Sequence, residues 1–219
     1  MNNEILKLVD VSFGYNNDLI LKDINLTINK GEYVGIIGLN GSGKSTLLKI
    51  ILGIIKPTSG EIIKGNKIKI GYVNQTTMVE EGSFMASVFE VVSLGLKKKP
   101  FSFINKKEKE KINKTLQLFS LSEYANHSID SLSGGQAQKV KIAKVLLSNP
   151  DIIVLDEPTS GIDESSEEIL LEIIAHLHAL KKTIILVSHN LSNLSNCDVV
   201  YKISDKSINK YEKELKENA

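Results

Sequence analysis

Residues 33–46 constrain this chain more than any other stretch. Tyr33-Val34-Gly35-Ile36-Ile37 is a continuous apolar run, the pattern of a buried parallel strand. It feeds Gly38-Leu39-Asn40-Gly41-Ser42-Gly43-Lys44-Ser45-Thr46, which matches G-x-x-x-x-G-K-[ST], and a helix is expected from about 44 to 53. A strand, a glycine-rich turn and a helix are the setting in which such a loop cradles phosphate. The glycines let successive backbone N–H groups turn inward around phosphate oxygens. The helix N-terminus adds partial positive charge. Lys44 can reach β- and γ-phosphates, and the Ser45 hydroxyl can bind Mg²⁺.

A second piece complements the first. Ile152-Ile153-Val154-Leu155 delivers two adjacent carboxylates, Asp156 and Glu157, to a strand end. Asp156 suits Mg²⁺, and Glu157 suits the orientation and polarisation of an attacking water. Strand 68–73 runs into Asn74-Gln75, and strand 183–187 into Ser188-His189. All four strands are read as buried. Ligands of open α/β sheets bind outside the carboxyl ends of the strands. The phosphate loop, Gln75, Asp156-Glu157 and His189 are therefore expected to converge on one γ-phosphate.

Elsewhere the organisation is simpler. Residues 5–11 and 19–28 read as strands, and Asp23–Asn29 alternates polar and apolar as a half-exposed antiparallel strand does. Pro57–Gly60 reads as a turn. Residues 76–148 read as a helical insert, with Phe84, Val88, Val91, Val92 and Gly95 at helical spacing and Pro100 between two pieces. The lysine-rich stretch from Lys97 to Lys114 interleaves with Glu108 and Glu110, as a solvated helix face does. Residues 165–180 read as a helix with Asp163 as N-cap. His176 and His178 lie two apart and cannot share one face, so they read as surface or packing residues. Residues 198–203 read as an edge strand, and the charged tail from Lys206 as peripheral.

Leu132-Ser133-Gly134-Gly135-Gln136 is a capping box, S-x-x-Q, opening a helix to about Ser148. Its two glycines cost roughly 1 kcal/mol each relative to alanine in a helix. They suggest that something approaches this backbone closely, and a bare helix start of this kind is an anion site.

Gly38–Thr46, Gln75, Leu132–Gln136, Ile153–Pro158, Ser160–Asp163 and His189 together resemble, in order and spacing, an ABC transporter ATPase subunit. The resemblance spans about residues 4–205. It implies an α/β P-loop NTPase (RecA-like) core with an antiparallel β subdomain, residues 1–75 and 149–219, and a helical signature subdomain, residues 76–148. It implies ATP and Mg²⁺ as cofactors. Tyr15 would stack on adenine, and Gly38, Asn40, Gly41, Ser42, Gly43, Lys44, Ser45 and Thr46 would hold phosphate. Ser45, Gln75 and Asp156 would hold the metal, and Glu157, His189 and Gln75 would serve hydrolysis. In this family two cassettes dimerise head to tail. Ser133, Gly134, Gly135 and Gln136 of one subunit would then close over the other's ATP, and Asp163 would contact the partner.

Finer fragments, Ile70–Gln75, Val88–Val92 and Lys182–His189, are similar to ATPase subunits of zinc, manganese and iron uptake systems. They imply high-affinity uptake of a divalent metal, zinc or manganese, with integral membrane permease subunits as partners and a substrate-binding protein involved indirectly. A groove near Gln75–Phe89 would pass motion to the permease. The alternatives are a cassette serving another substrate, or a soluble cassette ATPase acting on ribosomes or DNA. The latter usually has two cassettes in one chain or a long coiled-coil insertion, and this chain shows neither.

Composition narrows the rest. The 27 basic and 26 acidic residues nearly cancel, so no global field draws the chain to nucleic acid or anionic lipid. All the basic residues are lysine, so no arginine finger is available; a helix N-terminus and the Ser133 hydroxyl would replace it. The single cysteine, Cys197, excludes an intrachain disulfide and fits a reducing compartment. The most apolar run, residues 47–55, is far short of the ~20 residues of a membrane span. No secretion leader is expected from MNNEILKL. The expected location is peripheral, on the cytoplasmic side of the membrane. The chain shows no metal-ligand cluster, so the transported ion would not touch it.

Overall fold

The computed structural model describes residues 3–16, 18–65, 67–75, 86–96 and 102–211. Phe84, residues 97–99 and Pro100, which entered the sequence reading, lie outside them. The chain divides into two compact units, Met1–Ile68 with Lys181–Ala219, and Lys69–Leu180.

The first unit holds the phosphate loop. Strand β1 (Glu4–Tyr15) pairs antiparallel with β2 (Asp18–Asn29) on one side. Strand β3 (Tyr33–Gly38) leads into helix α1 (Lys44–Leu52), which buries Leu47, Leu48, Ile50 and Ile51. Strand β4 (Ser59–Lys64) closes the other side of β1, giving the order β2-β1-β4. The turn expected over Pro57–Gly60 overlaps the first two residues of β4. The alternation seen in β2 is real: Ile24, Leu26 and Ile28 are buried between exposed or half-buried neighbours.

In the second unit, β5 (Ile70–Val73) pairs in parallel with β6 (Ile152–Asp156). Its helices are α2 (Val88–Ser93), α3 (Lys106–Leu118), α4 (Gly134–Leu147) and α5 (Glu164–Ala179). Val88, Val92, Ile112, Leu116, Phe119, Val140 and Ala143 form the buried core of the helical part. Capping boxes open three of these helices: Ser87 with Glu90, Asn105 with Glu108, and Ser133 with Gln136. Lys106, Lys107, Lys109, Lys111 and Lys114 of α3 are exposed, a solvated face as expected. Strand β5 corrects the reading of four fully buried strands. Only Val73 is buried in it, and Tyr72 is 36% exposed.

The rest of the first unit follows α5 in sequence. Strands β7 (Thr183–Ser188) and β8 (Val199–Ser204) both run parallel to β3 and flank it. Strand β9 (Ser207–Lys210) pairs antiparallel with β8. Strand β8 is thus interior, not the edge, and the tail expected to be peripheral supplies the edge strand. A short, mostly polar edge strand carrying a lysine, such as Ser207-Ile208-Asn209-Lys210, discourages further pairing. Among the described residues, no helix is long and apolar enough to cross a membrane.

Candidate nucleotide-binding and hydrolytic site

In the first unit, β3 ends at Gly38, whose position admits no side chain. A Cβ there would stand 2.5 Å from Ser42 Oγ and 2.9 Å from Ile203 O. Gly41 (φ 79°) and Gly43 (φ 102°) are left-handed, a conformation that glycine adopts at little cost. Gly43 caps α1 without a side-chain hydrogen bond, and a helix start of this kind suits an anion. Ser42 Oγ is buried with no hydrogen-bond partner. The Lys44 side chain is 6% exposed, and its Nζ donates to Gly38 O at 2.7 Å and Leu39 O at 3.1 Å. Asn40, Gly41 and Ser45 are exposed and Thr46 is half-buried. A ring of donors around an orphaned hydroxyl fits an anionic phosphate chain. The exposed Ser45 hydroxyl is a hard oxygen ligand of the kind Mg²⁺ takes.

The same unit places two further predicted residues. The pairing Ile37↔Ser188 brings Gly38 and His189, one residue further along each strand, to the same end of the β3–β7 pair. His189 is exposed there. Tyr15, at the end of β1, is 50% exposed and meets Phe13 edge-to-face at 4.9 Å. Half of its surface is thus open to solvent.

In the second unit, β6 is buried throughout and delivers Asp156, itself 8% exposed. Glu157 follows in the left-handed region (φ 46°), uncommon for a residue other than glycine and typical of functional turns. Gln75 Nε2 donates to Glu157 Oε2 at 3.1 Å, and Tyr72 Oη donates to Asp156 Oδ2 at 3.0 Å. Burial, followed by the Asp156 carboxylate, pushes the Tyr72 phenol well above its ordinary value, so it stays a donor. Sequence reasoning missed Tyr72. The alternation of β5 was the available signal, since it sets Tyr72 on the face opposite Gly71 and Val73.

The signature segment lies in this unit too. Ser133 Oγ accepts from Gln136 N at 3.3 Å and Ser133 N donates to Gln136 Oε1 at 2.9 Å. Asp163 caps α5 as expected. Its Oδ1 accepts from Ser166 N at 2.9 Å and Ser165 Oγ at 2.6 Å, and its Oδ2 from Ser166 Oγ at 2.7 Å. Those donors hold the carboxyl well below the usual carboxylate range. A cleft of about 120 Å³ is lined by Gln75, Gly134, Gln138, Lys141 and Ser160, among others. The expected close approach to this backbone is present at Gly135, and Ser166 of the same chain makes it.

A larger cavity, about 520 Å³, lies in the first unit against Leu191, Leu194, Cys197 and Val199. It contains none of the motif residues.

The ABC transporter family profile matches residues 21–160. The chain is 40% identical over 200 residues to the zinc uptake system ATP-binding protein ZurA of Listeria innocua, covering 86% of this chain and 78% of that one. It is 36% identical over 198 residues to the manganese transport system ATP-binding protein MntB of Bacillus subtilis, covering 85% and 77%. A solved dimeric ATP-binding cassette in a post-hydrolysis state, bound to ADP and Pi, aligns with a TM-score of 0.78 at 30% identity, over 95% of this chain and 100% of that one. With a phosphate loop, an acidic strand end and an LSGGQ helix start in one chain, this protein belongs to the ABC transporter family, as one of its ATP-hydrolysing cassettes.

Proposed function

We propose that this cassette powers high-affinity uptake of zinc or manganese. The observation that carries the reading is 40% identity, across most of both chains, to a zinc uptake ATP-binding protein. Two copies would form a homodimer on the cytoplasmic side of the membrane, bound peripherally to permease subunits that a substrate-binding protein loads.

Within each copy, Tyr15 stacks on adenine and Gly38–Thr46 hold the phosphates. Lys44 neutralises charge on the β- and γ-phosphates. Ser45, Gln75 and Asp156, all oxygen donors, would hold Mg²⁺, which offsets phosphate charge when bound. Glu157 takes a proton from water as its oxygen bonds to the γ-phosphorus and the bond to ADP breaks. Gln75, hydrogen-bonded to one Glu157 oxygen, orients that carboxylate. His189 supports the γ-phosphate. Ser133–Gln136 of the partner complete the donor set, and Asp163 lies at the subunit contact. Binding of ATP closes the dimer and hydrolysis reopens it.

The test is a strain lacking this gene. Zinc- or manganese-limited growth and slowed uptake of the labelled metal are expected. Restoration should require wild-type protein and fail with Glu157→Gln. Normal uptake of both metals, with loss of another substrate, would sink the metal reading and leave the ATPase intact.

A further inference from the structure

Helices α4 and α5 meet at their N-terminal ends. Gly135, the second residue of α4, is buried, and Ser166 is in the first turn of α5. A Cβ built on Gly135 would stand 2.6 Å from both Cβ and Oγ of Ser166. Real Cβ atoms do not approach so closely, and no rotamer change moves the Ser166 Cβ, because the backbone fixes it. The Ser166 hydroxyl is fixed as well, donating to Asp163 Oδ2 at 2.7 Å. Gly134 is different. A Cβ there would meet only Ile162 Cγ2 at 3.5 Å and Gly161 O at 3.6 Å, ordinary contacts. The two signature glycines thus have separate reasons to be glycine.

We propose that Ser166 is a positioning residue for the signature segment. Clasped by Asp163, its side chain sets how closely the start of α4 approaches α5, and thereby where Ser133 stands. Gly135 is glycine because Ser166 fills the space its Cβ would need. The inference rests on the reading of Ser133 as a group that meets the partner's nucleotide. It implies that Asp163 and Ser133 travel as one body when the dimer closes.

A size swap tests this. Purified Gly135→Ala, Ser166→Gly and Gly135→Ala/Ser166→Gly proteins are compared for kcat, KM and thermal melting. Dimerisation with ATP is followed by size-exclusion chromatography in a Glu157→Gln background. In the double variant the new Cβ enters space vacated by Ser166, and the next nearest atom is the Cα of that residue, at 3.8 Å. Gly135→Ala is expected to lower kcat by roughly 10–10²-fold, the scale of misplacing a catalytic group by about 1 Å, with KM little changed. The double variant should regain most of that loss. Ser166→Gly alone removes the spacer, so it should lower kcat with KM little changed, and the double variant should exceed it. Wild-type kcat in Ser166→Gly would overturn the positioning role.

A double variant as slow as Gly135→Ala would overturn the proposal, since the glycine would then be required by something outside the chain. Full activity of Gly135→Ala would overturn it too. If Gly135→Ala lacks a melting transition, Ser166→Val crowds the contact from the α5 side with the signature untouched. The comparable kcat loss expected there supports the proposal, and wild-type kcat overturns it. Absence of an ATP-dependent dimer in the Glu157→Gln parent would instead remove the composite-site reading and the role given to Ser133. Failure of the swap beside an intact parent dimer removes the Ser166 role alone.

Discussion

Gln75 and Glu157 are joined by a hydrogen bond of 3.1 Å from Nε2 to Oε2, at matching places just past the paired ends Val73↔Leu155 of β5 and β6. The glutamine fixes one oxygen of the carboxylate. Glu157→Gln should bind ATP as wild type does and turn over roughly 10²–10⁴-fold more slowly, the range for loss of a general base. Phosphate release and nucleotide titration measure the two halves of this expectation. Near-normal turnover would show that Glu157 is not the base.

Tyr72→Phe removes the donor to Asp156 Oδ2 and changes little else in shape. The expected cost is about 1.5–3 kcal/mol of stability, as for a hydrogen bond to a charged group, read from urea unfolding. The replacement should also slow hydrolysis by unfixing Asp156. An unchanged unfolding midpoint would mean that this bond adds nothing in water.

Asp163 makes stability depend on pH in one window. Its folded pKa lies below the unfolded value of 3.8. Its contribution is therefore full above that value and is lost as pH falls below about 4. Melting temperature plotted from pH 6 to pH 2 should fall less steeply for Asp163→Asn than for wild type. Identical slopes would contradict the cap seen at α5.

The composite site predicts complementation in mixed dimers. Lys44→Ala damages the loop of one subunit, and Ser133→Arg places bulk at the exposed start of the other's α4. Gly135→Asp is a poor choice for this test, because Ser166 obstructs any side chain there. In trans geometry one site carries both lesions and the other none, so the mixture should hydrolyse ATP where neither parent does. With ATP trapped by Glu157→Gln, Ser133 should lie within ~3 Å of a phosphate held by the other subunit's Lys44. A closed structure with Ser133 facing its own chain's nucleotide would end the proposal.

Sequence patterns revealed those features that are local. Gly38–Ser45, the Ser133–Gln136 box and the Asp163 cap each depend on residues within one turn or loop, and each is present. Strand β4 was hidden because Ser59–Lys64 has only two apolar residues, Ile62 and Ile63. Its pairing with β1, distant in sequence, makes it a strand. Strand β8 was misplaced at the edge because nothing apolar in Ser207–Lys210 except Ile208 announces a further strand. Ser166 was missed for the same reason, since it touches Gly135 far along the chain. For Tyr72 the alternation of β5 indicates its face, and only the distant pairing with β6 supplies its partner Asp156.

The Lys44 ammonium, bonded to the carbonyls of Gly38 and Leu39, braces the loop from inside. An arriving phosphate must trade places with those carbonyls, so the lysine's part in nucleotide affinity is a difference between two sets of partners. Replacing Lys44 loosens the loop before any nucleotide arrives. The affinity lost in such a variant therefore combines the phosphate contact, the carbonyl bonds given up for it and the ordering of a slackened loop, and does not equal the lysine's contact with phosphate.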